Sequence, residues 1–363
     1  MKIIIPVLGF GKSGGNRVLS KLADELIKLG HEVSFLSPSN CDEPYFPTLA
    51  NILWIDKKGN IVNSRTLTEK SPGFFSNLLR LTKGLKKLPA DGFDIVLANH
   101  SITTIPVKLA GLLKKTVYYV QAYEPEYYNY LPGFRNKILK LISRYSYTLP
   151  IFTIVNAEVY TSYKNIRSNR VLYPGIDFNY FYPKKTEKTS TEKIVIGTVG
   201  RMEKYKGTHH VLEAFNSIKK QFKHVELLVA FGSPTDFIGI NGVTCVFPDG
   251  DEALGNYYRS LDYYFCAGNI QLRAFHYPVA EALSCAVPVI TTNYFPASEK
   301  NSWIVDPGNA GFLVEAFHNS LHNNEETRKK IDCGILDMQD FDWKQVGEKM
   351  DRFLLEFVKL NQI

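Results

Sequence analysis

Short apolar runs alternate with longer amphipathic stretches along nearly the whole chain. In the first half, residues 3–7, 31–36, 93–98 and 116–120 read as buried strands, and 14–29 carries apolar residues at helical spacing. Residues 171–173 are expected to close that sheet. Residues 40–90 hold little pattern, apart from a hairpin expected around 57–60 with basic turns after it. The second half repeats the alternation. Strands are expected at 194–199, 227–231, 243–247, 263–265 and 287–291, with a helix at 208–220 after the first. An amphipathic helix over 342–360 ends the chain. Strands alternating with helices predict an α/β protein with parallel sheets. The polar stretch 183–193 reads as a linker. It separates a first domain, 1–182, from a second, 194–341, with 342–363 as a terminal helix.

A chain of 363 residues is long for one core and suits two domains. A hydrophobic content of 45% with 22% charge is that of a globular protein. The five cysteines are scattered and form no Cys-x-x-Cys pair, which argues for a reducing compartment such as the cytoplasm. No apolar stretch is long enough to span a bilayer. The opening apolar run is too brief for a signal peptide and reads as a strand. Charge is unevenly shared. Residues 1–172 carry 23 Lys+Arg against 12 Asp+Glu, a net of +11, whereas 173–363 carry 20 against 24, a net of −4. The two halves are expected to meet different partners.

The richest chemistry lies at Gly200-Arg201-Met202-Glu203-Lys204-Tyr205-Lys206-Gly207. A strand precedes this turn and a helix follows it. Glycines admit close backbone approach, helix N–H groups point at the turn, and Arg201 and Lys206 supply positive charge. Together they predict an anion pocket, although the same residues also fit a solvated basic turn. Further on, Phe275-His276-Tyr277-Pro278-Val279-Ala280-Glu281 opens a short helix with one carboxylate. Cations for phosphate and an acid for ribose hydroxyls suggest a nucleoside diphosphate; Glu281 equally fits an acid held by a helix dipole. Gly9-Phe10-Gly11-Lys12-Ser13-Gly14 satisfies G-x-G-x-x-G, but Leu36-Ser37-Pro38-Ser39 supplies no acid after the second strand, so dinucleotide binding is set aside.

Gly200-Arg201 with Lys206-Gly207, Pro278-x-x-Glu281-Ala282 and Val287-Pro288-Val289-Ile290 resemble the donor half of the retaining glycosyltransferases of family 4. Gly14-Gly15 and Leu29-Gly30-His31-Glu32-Val33 resemble that family's first half, and Val171-Leu172-Tyr173-Pro174-Gly175-Ile176-Asp177 resembles its interdomain passage. The resemblance implies the GT-B fold, two Rossmann-like domains facing across a cleft, with the last helix crossing back to the first domain. It implies transfer of a sugar from a nucleotide diphosphate (UDP, GDP or dTDP) to a glycan or lipid-linked acceptor. The reaction would retain configuration and need neither metal nor cofactor, in cell-surface polysaccharide synthesis. Implied donor contacts are Gly15, Gly200, Arg201, Lys206, Phe247, Arg273, His276, Tyr277, Val279 and Glu281. Implied acceptor contacts are Gly14, Asn16, His100, Gln121, Tyr123 and Glu124, with Glu124 also a candidate base beside the catalytic cations Arg201 and Lys206.

Two positions depart from the family. Arg273 stands where a glutamate contacts the transferred sugar, leaving His276, amides near Tyr277, or Arg273 on phosphate as substitutes. Gln121 stands where a histidine ends the strand at 116–120. The run Tyr118-Tyr119-Val120-Gln121-x-Tyr123-Glu124-Pro125 resembles a subgroup containing dTDP-rhamnose-dependent rhamnosyltransferases. His100, beside Asn99 and Ser101, fits either the cleft or a satisfied strand-end histidine; His209 and His210 are given no role. Residues 134–147 interleave Arg135, Lys137, Lys140 and Arg144 with apolar residues. They fit a helix packed on its sheet with a solvated face, or one in peripheral contact with the anionic inner face of a membrane. No nucleic-acid module is evident. Two rivals remain: a non-catalytic partner that binds nucleotide sugar or glycan, and a two-domain nucleotide-sugar epimerase.

Overall fold

The computed structural model describes residues 1–66, 73–89, 91–183, 193–200, 203–237 and 239–361. Arg201 and most of the expected linker lie outside them. Two compact units form: Met1–Gly175 with Trp343–Ile363, and Ile176–Asp342. The α/β class and the two parallel-sheet domains follow the sequence expectation.

The first unit contains β1 (Lys2–Pro6), α1 (Gly14–Lys28), β2 (Glu32–Pro38), β3 (Asn51–Ile55), β4 (Ile61–Val62) and α2 (Phe74–Lys87). It continues with β5 (Ile95–Ala98), α3 (Thr104–Leu109), β6 (Thr116–Val120), α4 (Glu124–Tyr130), α5 (Phe134–Ser146) and β7 (Phe152–Val155). The sheet order is β4-β3-β2-β1-β5-β6-β7, parallel except for β4. Its central strands are apolar on both faces: Ile3, Ile5, Val96 and Leu97 are fully buried. Leu36, Leu81, Leu85, Phe93, Val96 and Val107 share one core cluster. Burying each such side chain contributes about 1.5–3 kcal/mol.

The second unit contains β8 (Ile194–Val199), α6 (Thr208–Gln221), β9 (Val225–Ala230), α7 (Pro234–Phe237), β10 (Val243–Val246) and α8 (Gly250–Arg259). It continues with β11 (Tyr263–Cys266), α9 (Tyr277–Ser284), β12 (Val289–Thr292), β13 (Trp303–Val305), α10 (Ala310–His322) and α11 (Asn324–Met338). Its sheet order is β10-β9-β8-β11-β12-β13. Ile196, Phe215, Leu227, Phe265, Ile290 and Phe317 centre its core. The last helix, α12 (Trp343–Asn361), packs in the first unit against α1. Gly347 permits the approach, since a Cβ there would lie 2.6 Å from Glu25 Cβ. Arg170 grips Glu356 with two hydrogen bonds, of 3.1 and 2.5 Å.

Several expectations need correction. Val171 makes only an isolated bridge to Val155, and β7 closes the first sheet instead. The hairpin turn at 57–60 is present, with Trp54 opposite Val62 and Ile55 opposite Ile61. The segment after it, expected as turns, contains α2. The boundary expected at 182 lies at 175. The Ile176 N–H donates to the Phe341 carbonyl at 2.7 Å, and Arg259 Nη1 donates to the Tyr180 carbonyl at 2.6 Å, so 176–182 pack with the second unit.

In both sheets the chain leaves its first strand in one direction and later resumes on the other side, at β1/β5 and at β8/β11. Open α/β sheets bind ligands beyond the carboxyl ends of the strands at such switch points.

Candidate active site

In the second unit the glycine turn leaves β8 at its switch point. The Gly200 N–H donates to the Ala230 carbonyl at 2.7 Å. Lys204–Lys206 form one 3-10 turn, and Gly207, at φ +76°, starts α6. That conformation favours glycine. Space demands it too: a Cβ on Gly207 would lie 2.0 Å from the Ala267 carbonyl oxygen, just beyond β11. The Asn269 N–H donates to the Tyr205 carbonyl at 3.0 Å and ties the turn to the same strand end. α6 starts without a side-chain cap, and such a helix start suits an anion. Lys206 is half-buried beside it. Its charge reaches Cys266, partly offsetting the rise that burial imposes on that thiol. Arg201, the other expected cation, lies outside the described residues.

The loop after β11 forms the adjoining wall. Gln271 and Arg273 adopt φ of +49° and +67°, conformations that cost non-glycine residues energy and cluster at functional sites. The loop is fixed at several points. Thr292 Oγ1 donates to the Gly268 carbonyl at 2.7 Å, Tyr294 OH to the Ile270 carbonyl at 2.8 Å, and the Arg273 N–H to the Asn293 carbonyl at 2.5 Å. The Arg273 side chain is exposed. His276 precedes α9 and its ring stacks on Tyr294 at 4.4 Å. Tyr277 packs edge-on against Phe275.

Two expected donor residues are placed differently from the sequence reading. Val279 is fully buried and its N–H already donates to the His276 carbonyl, so it is a packing residue. Glu281 is only 2% exposed and lies among phenols rather than on an open wall. Burial, then the Glu281 charge, hold the Tyr258 phenol well above its ordinary range; burial raises Tyr264 too, with a smaller push from the same carboxylate.

Phe247 follows β10 and is 59% exposed. Beside the glycine turn lies a cavity of about 240 Å³, lined by Gly200, Glu203, Phe231, Gly232, Ser233, Asp236 and Phe237. Sequence reading missed this element. Its signal was Phe231-Gly232-Ser233-Pro234 at a strand end, where Phe231 takes φ +59° and presents an exposed ring. Acidic and aromatic walls suit a nucleoside better than phosphate.

In the first unit, Ser13 caps α1, its hydroxyl accepting from the Asn16 N–H at 3.4 Å, and Asn16 Nδ2 donates to the Gly11 carbonyl at 3.2 Å. Asn16 therefore shapes its own turn, and Gly14 is exposed at the helix start. Gly15 and Gln121 do meet: Gln121 Nε2 donates to the Gly15 carbonyl at 3.3 Å. His100 and Glu124 also meet, with Nε2 3.7 Å from Oε1. The roles within that pair are not those the sequence suggested. Glu124 is buried; Oε1 accepts from the Ser101 N–H at 3.2 Å, and Oε2 accepts from the Tyr147 hydroxyl. Both oxygens are committed, which disfavours an open base. His100 is the half-buried, more accessible member, its Nδ1 accepting from the Ile102 N–H at 3.1 Å. Burial, then the Glu124 charge, push the Tyr147 phenol well up. Tyr123 packs against Tyr147 and Tyr163, with ring centroids at 5.1 and 4.6 Å.

Residues 12–180 match the family described as Glycosyltransferase Family 4, and residues 182–333 match Glycosyl transferases group 1. Together the two matches span most of the chain, and they mark it as a glycosyltransferase. This glycosyltransferase is 24% identical over 348 residues to an uncharacterized glycosyltransferase of Haemophilus influenzae, covering 92% of this chain and 90% of that one. Its fold is similar to that of a sucrose-phosphate synthase from Thermosynechococcus elongatus, with a TM-score of 0.77 at 15% identity, covering 99% and 100% of the two chains. It is also similar to Anabaena HepE, solved in complex with UDP-glucose, with a TM-score of 0.70 at 14% identity, covering 98% and 100%. These structural likenesses establish the GT-B fold of the glycosyltransferase.

Proposed function

We propose that this glycosyltransferase takes its sugar from a nucleoside diphosphate and passes it to a glycan or lipid-linked glycan. The observation that carries the reading is the turn Gly200–Gly207, wedged against β11 at the switch point, with an uncapped helix start and Lys206 beside it. Lys206 and the α6 amides bind the diphosphate, and Arg201 joins them. As the glycosidic bond breaks, negative charge grows on the departing diphosphate, and these groups stabilise it without a metal ion. The nucleoside lies toward Phe231 and Phe247, with Glu281 as the ribose acceptor. The accessible His100, oriented by Glu124, meets the acceptor together with Gln121 and Gly15. The reaction retains configuration, as the family resemblance implies, and serves cell-surface polysaccharide synthesis in the cytoplasm. The UDP-glucose bound to HepE supports UDP as the nucleotide, whereas a rhamnose donor would carry dTDP. The sugar is a hexose, with rhamnose favoured by the aromatic lining around Tyr123.

Thermal stabilisation by UDP, GDP and dTDP tests the donor. One base stabilises strongly, and Lys206→Ala loses both that shift and turnover. Turnover undiminished in Lys206→Ala would sink the reading. An epimer formed without any acceptor would favour the epimerase alternative.

A further inference from the structure

Helices α2, α3 and α5 share one side of the first unit. The Arg135 guanidinium lies 5.4 Å from the Phe74 ring, joining α5 to α2. α3 packs on α2, and Lys108 lies over the Tyr145 ring at 4.5 Å, joining α3 to α5. The outward face of these helices is unusual in two respects.

It is apolar where solvent should select polar residues. Along α5 one exposed stripe runs Phe134, Lys137, Leu141 and Arg144, with Arg135 and Tyr145 exposed beside it. Phe134 is 77% exposed and Leu141 65%. The α2 stripe runs Phe75, Leu79, Lys83 and Lys86, its two apolar members 56% and 55% exposed. The inward faces are occupied separately by Leu139 and Ser143, and by Leu81 and Leu85. A helix packed on its sheet needs only the inward set. The outward set is surplus to folding.

The face also carries one sign of charge. The three helices hold nine lysines and arginines, of which only Arg80 is buried, and no aspartate or glutamate. Lys83 donates to the Lys57 carbonyl, Lys87 to Asn60 Oδ1 and Lys108 to the Tyr145 hydroxyl, all neutral acceptors. By contrast α1 and α12 of the same unit mix the signs, setting Asp24, Glu25, Glu348, Asp351 and Glu356 among their lysines and arginines. The basic excess of the first half is therefore concentrated on one side.

We propose that this face of α2, α3 and α5 docks the protein on an anionic lipid bilayer, with Phe75, Phe134 and Leu141 entering the headgroup layer. Two features select the bilayer over other occupants. A soluble polyanion would use the cations and leave the outward phenyl and leucyl groups in water. A protein interface of this apolar character is depleted in lysine at its centre. Bulky apolar and cationic side chains interleaved at helical spacing, without carboxylates, match what an interfacial helix presents to acidic headgroups. Among the described residues no helix is long and apolar enough to cross a membrane, so the contact is peripheral. The phenylalanines lie near the starts of α2 and α5. Those starts face the carboxyl edge of the sheet, the edge that holds His100 and Gln121. If the acceptor is lipid-linked, its anchor and its sugar would arrive at that one edge.

The test is flotation of the full chain with vesicles of phosphatidylcholine, alone or mixed with phosphatidylglycerol. The chain is expected to float with the mixed vesicles, stay behind with the neutral ones, and be released by high salt. Phe134→Ser with Leu141→Ser removes the inserting groups, and Lys137→Glu with Arg144→Glu reverses two charges. Each pair is expected to weaken binding at least about tenfold. Thermal midpoints should stay at the parental value, because all four side chains are exposed. The proposal is overturned by no flotation with phosphatidylglycerol, by equal flotation with neutral vesicles, or by binding that neither pair alters. A concentration-dependent dimer dissolved by the serine pair would overturn it as well, identifying a second copy as the occupant. No sugar donor enters the assay, so failure of the transferase reading would leave its result intact.

Discussion

Replacing Gly207 by alanine separates the shape of the phosphate turn from its charge. Gly207 lies at φ +76°, and a Cβ there would meet the Ala267 oxygen at 2.0 Å and its carbon at 2.3 Å. The left-handed backbone costs alanine about 1 kcal/mol. An ordinary carbon–oxygen contact is roughly 3.3 Å, so the turn must also retreat from β11 by more than about 1 Å. That retreat breaks the 3.0 Å bond between Asn269 and Tyr205, a further loss of about 1 kcal/mol. With residual crowding, the expected destabilisation is roughly 3 kcal/mol, or a fall in melting temperature of about 6–12 °C. The functional effect should be larger, since about 1 Å of misplacement at a reacting centre costs on the order of 10²-fold in rate. Gly30→Ala supplies the control. Its φ is +88°, yet nothing lies within 4 Å of a Cβ there. It should lose about 1 kcal/mol and keep full activity. The assays are thermal melts, affinity for the stabilising nucleoside diphosphate, and kcat/KM for the matching sugar donor. Gly207→Ala with nucleotide affinity and kcat/KM within about twofold of the parent would refute the placement of the phosphate at this turn.

His100→Ala is expected to lower transfer roughly 10²-fold while leaving nucleoside diphosphate binding unchanged. Glu124→Gln, whose amide NH2 must oppose either the Ser101 N–H or the Tyr147 hydroxyl, should cost stability as well; equal transfer rates in parent and His100→Ala would remove the histidine from the reaction. Alkali should unfold the protein through its buried phenols. Burial and the Glu124 charge push Tyr128 up to about 12, and Tyr118, Tyr147, Tyr258 and Tyr264 are also raised. A raised folded value means that the folded state holds its protons longer. Stability should therefore be level below about pH 10 and fall as pH climbs toward 12. Urea midpoints across that range should drop as tyrosinate absorbance appears. Full tyrosinate absorbance in a still-folded chain would contradict the burial.

Where an element was buried on both faces, its run of apolar residues announced it. Thr116–Val120 has five buried residues in succession and reads unambiguously as a strand. α2 was hidden for the opposite reason. Phe75 and Leu79 face outward while Leu81 and Leu85 face inward, so the helix shows no single apolar stripe. β7 and β13 are only four and three residues long, too short for alternation to register. The glycine turn was legible because positive φ, close approach and cations all leave marks in the residue types. The burial of Glu124 and Glu281 was not. Whether a carboxylate meets water or phenols depends on Tyr147 and Tyr258, each set by packing far from the local motif.

Both units keep a carboxylate near the functional edge of the sheet and surround it with tyrosines. In the second unit Glu281 is 2% exposed opposite Tyr258. A buried carboxylate is an expensive way to fill space, and apolar residues of similar size often stabilise a fold by comparison. Its presence is better explained by a ligand than by packing, and the two explanations predict opposite results. Removing Glu281 alone would leave the buried Tyr258 hydroxyl, which has no hydrogen-bond partner among the described residues, without even a neighbouring charge, at about 1–3 kcal/mol, and so would confuse them. Glu281→Met combined with Tyr258→Phe removes both polar groups at nearly constant volume. If the carboxylate serves the ribose, the double variant should melt at or above the parental temperature while its nucleoside diphosphate affinity falls by about tenfold or more, the loss of a charged hydrogen bond. A melting temperature lowered by more than about 5 °C with affinity preserved would show that the pair is part of the scaffold. In that case the ribose contact would have to be sought among the groups around Phe231 and Ser233, where the cavity opens.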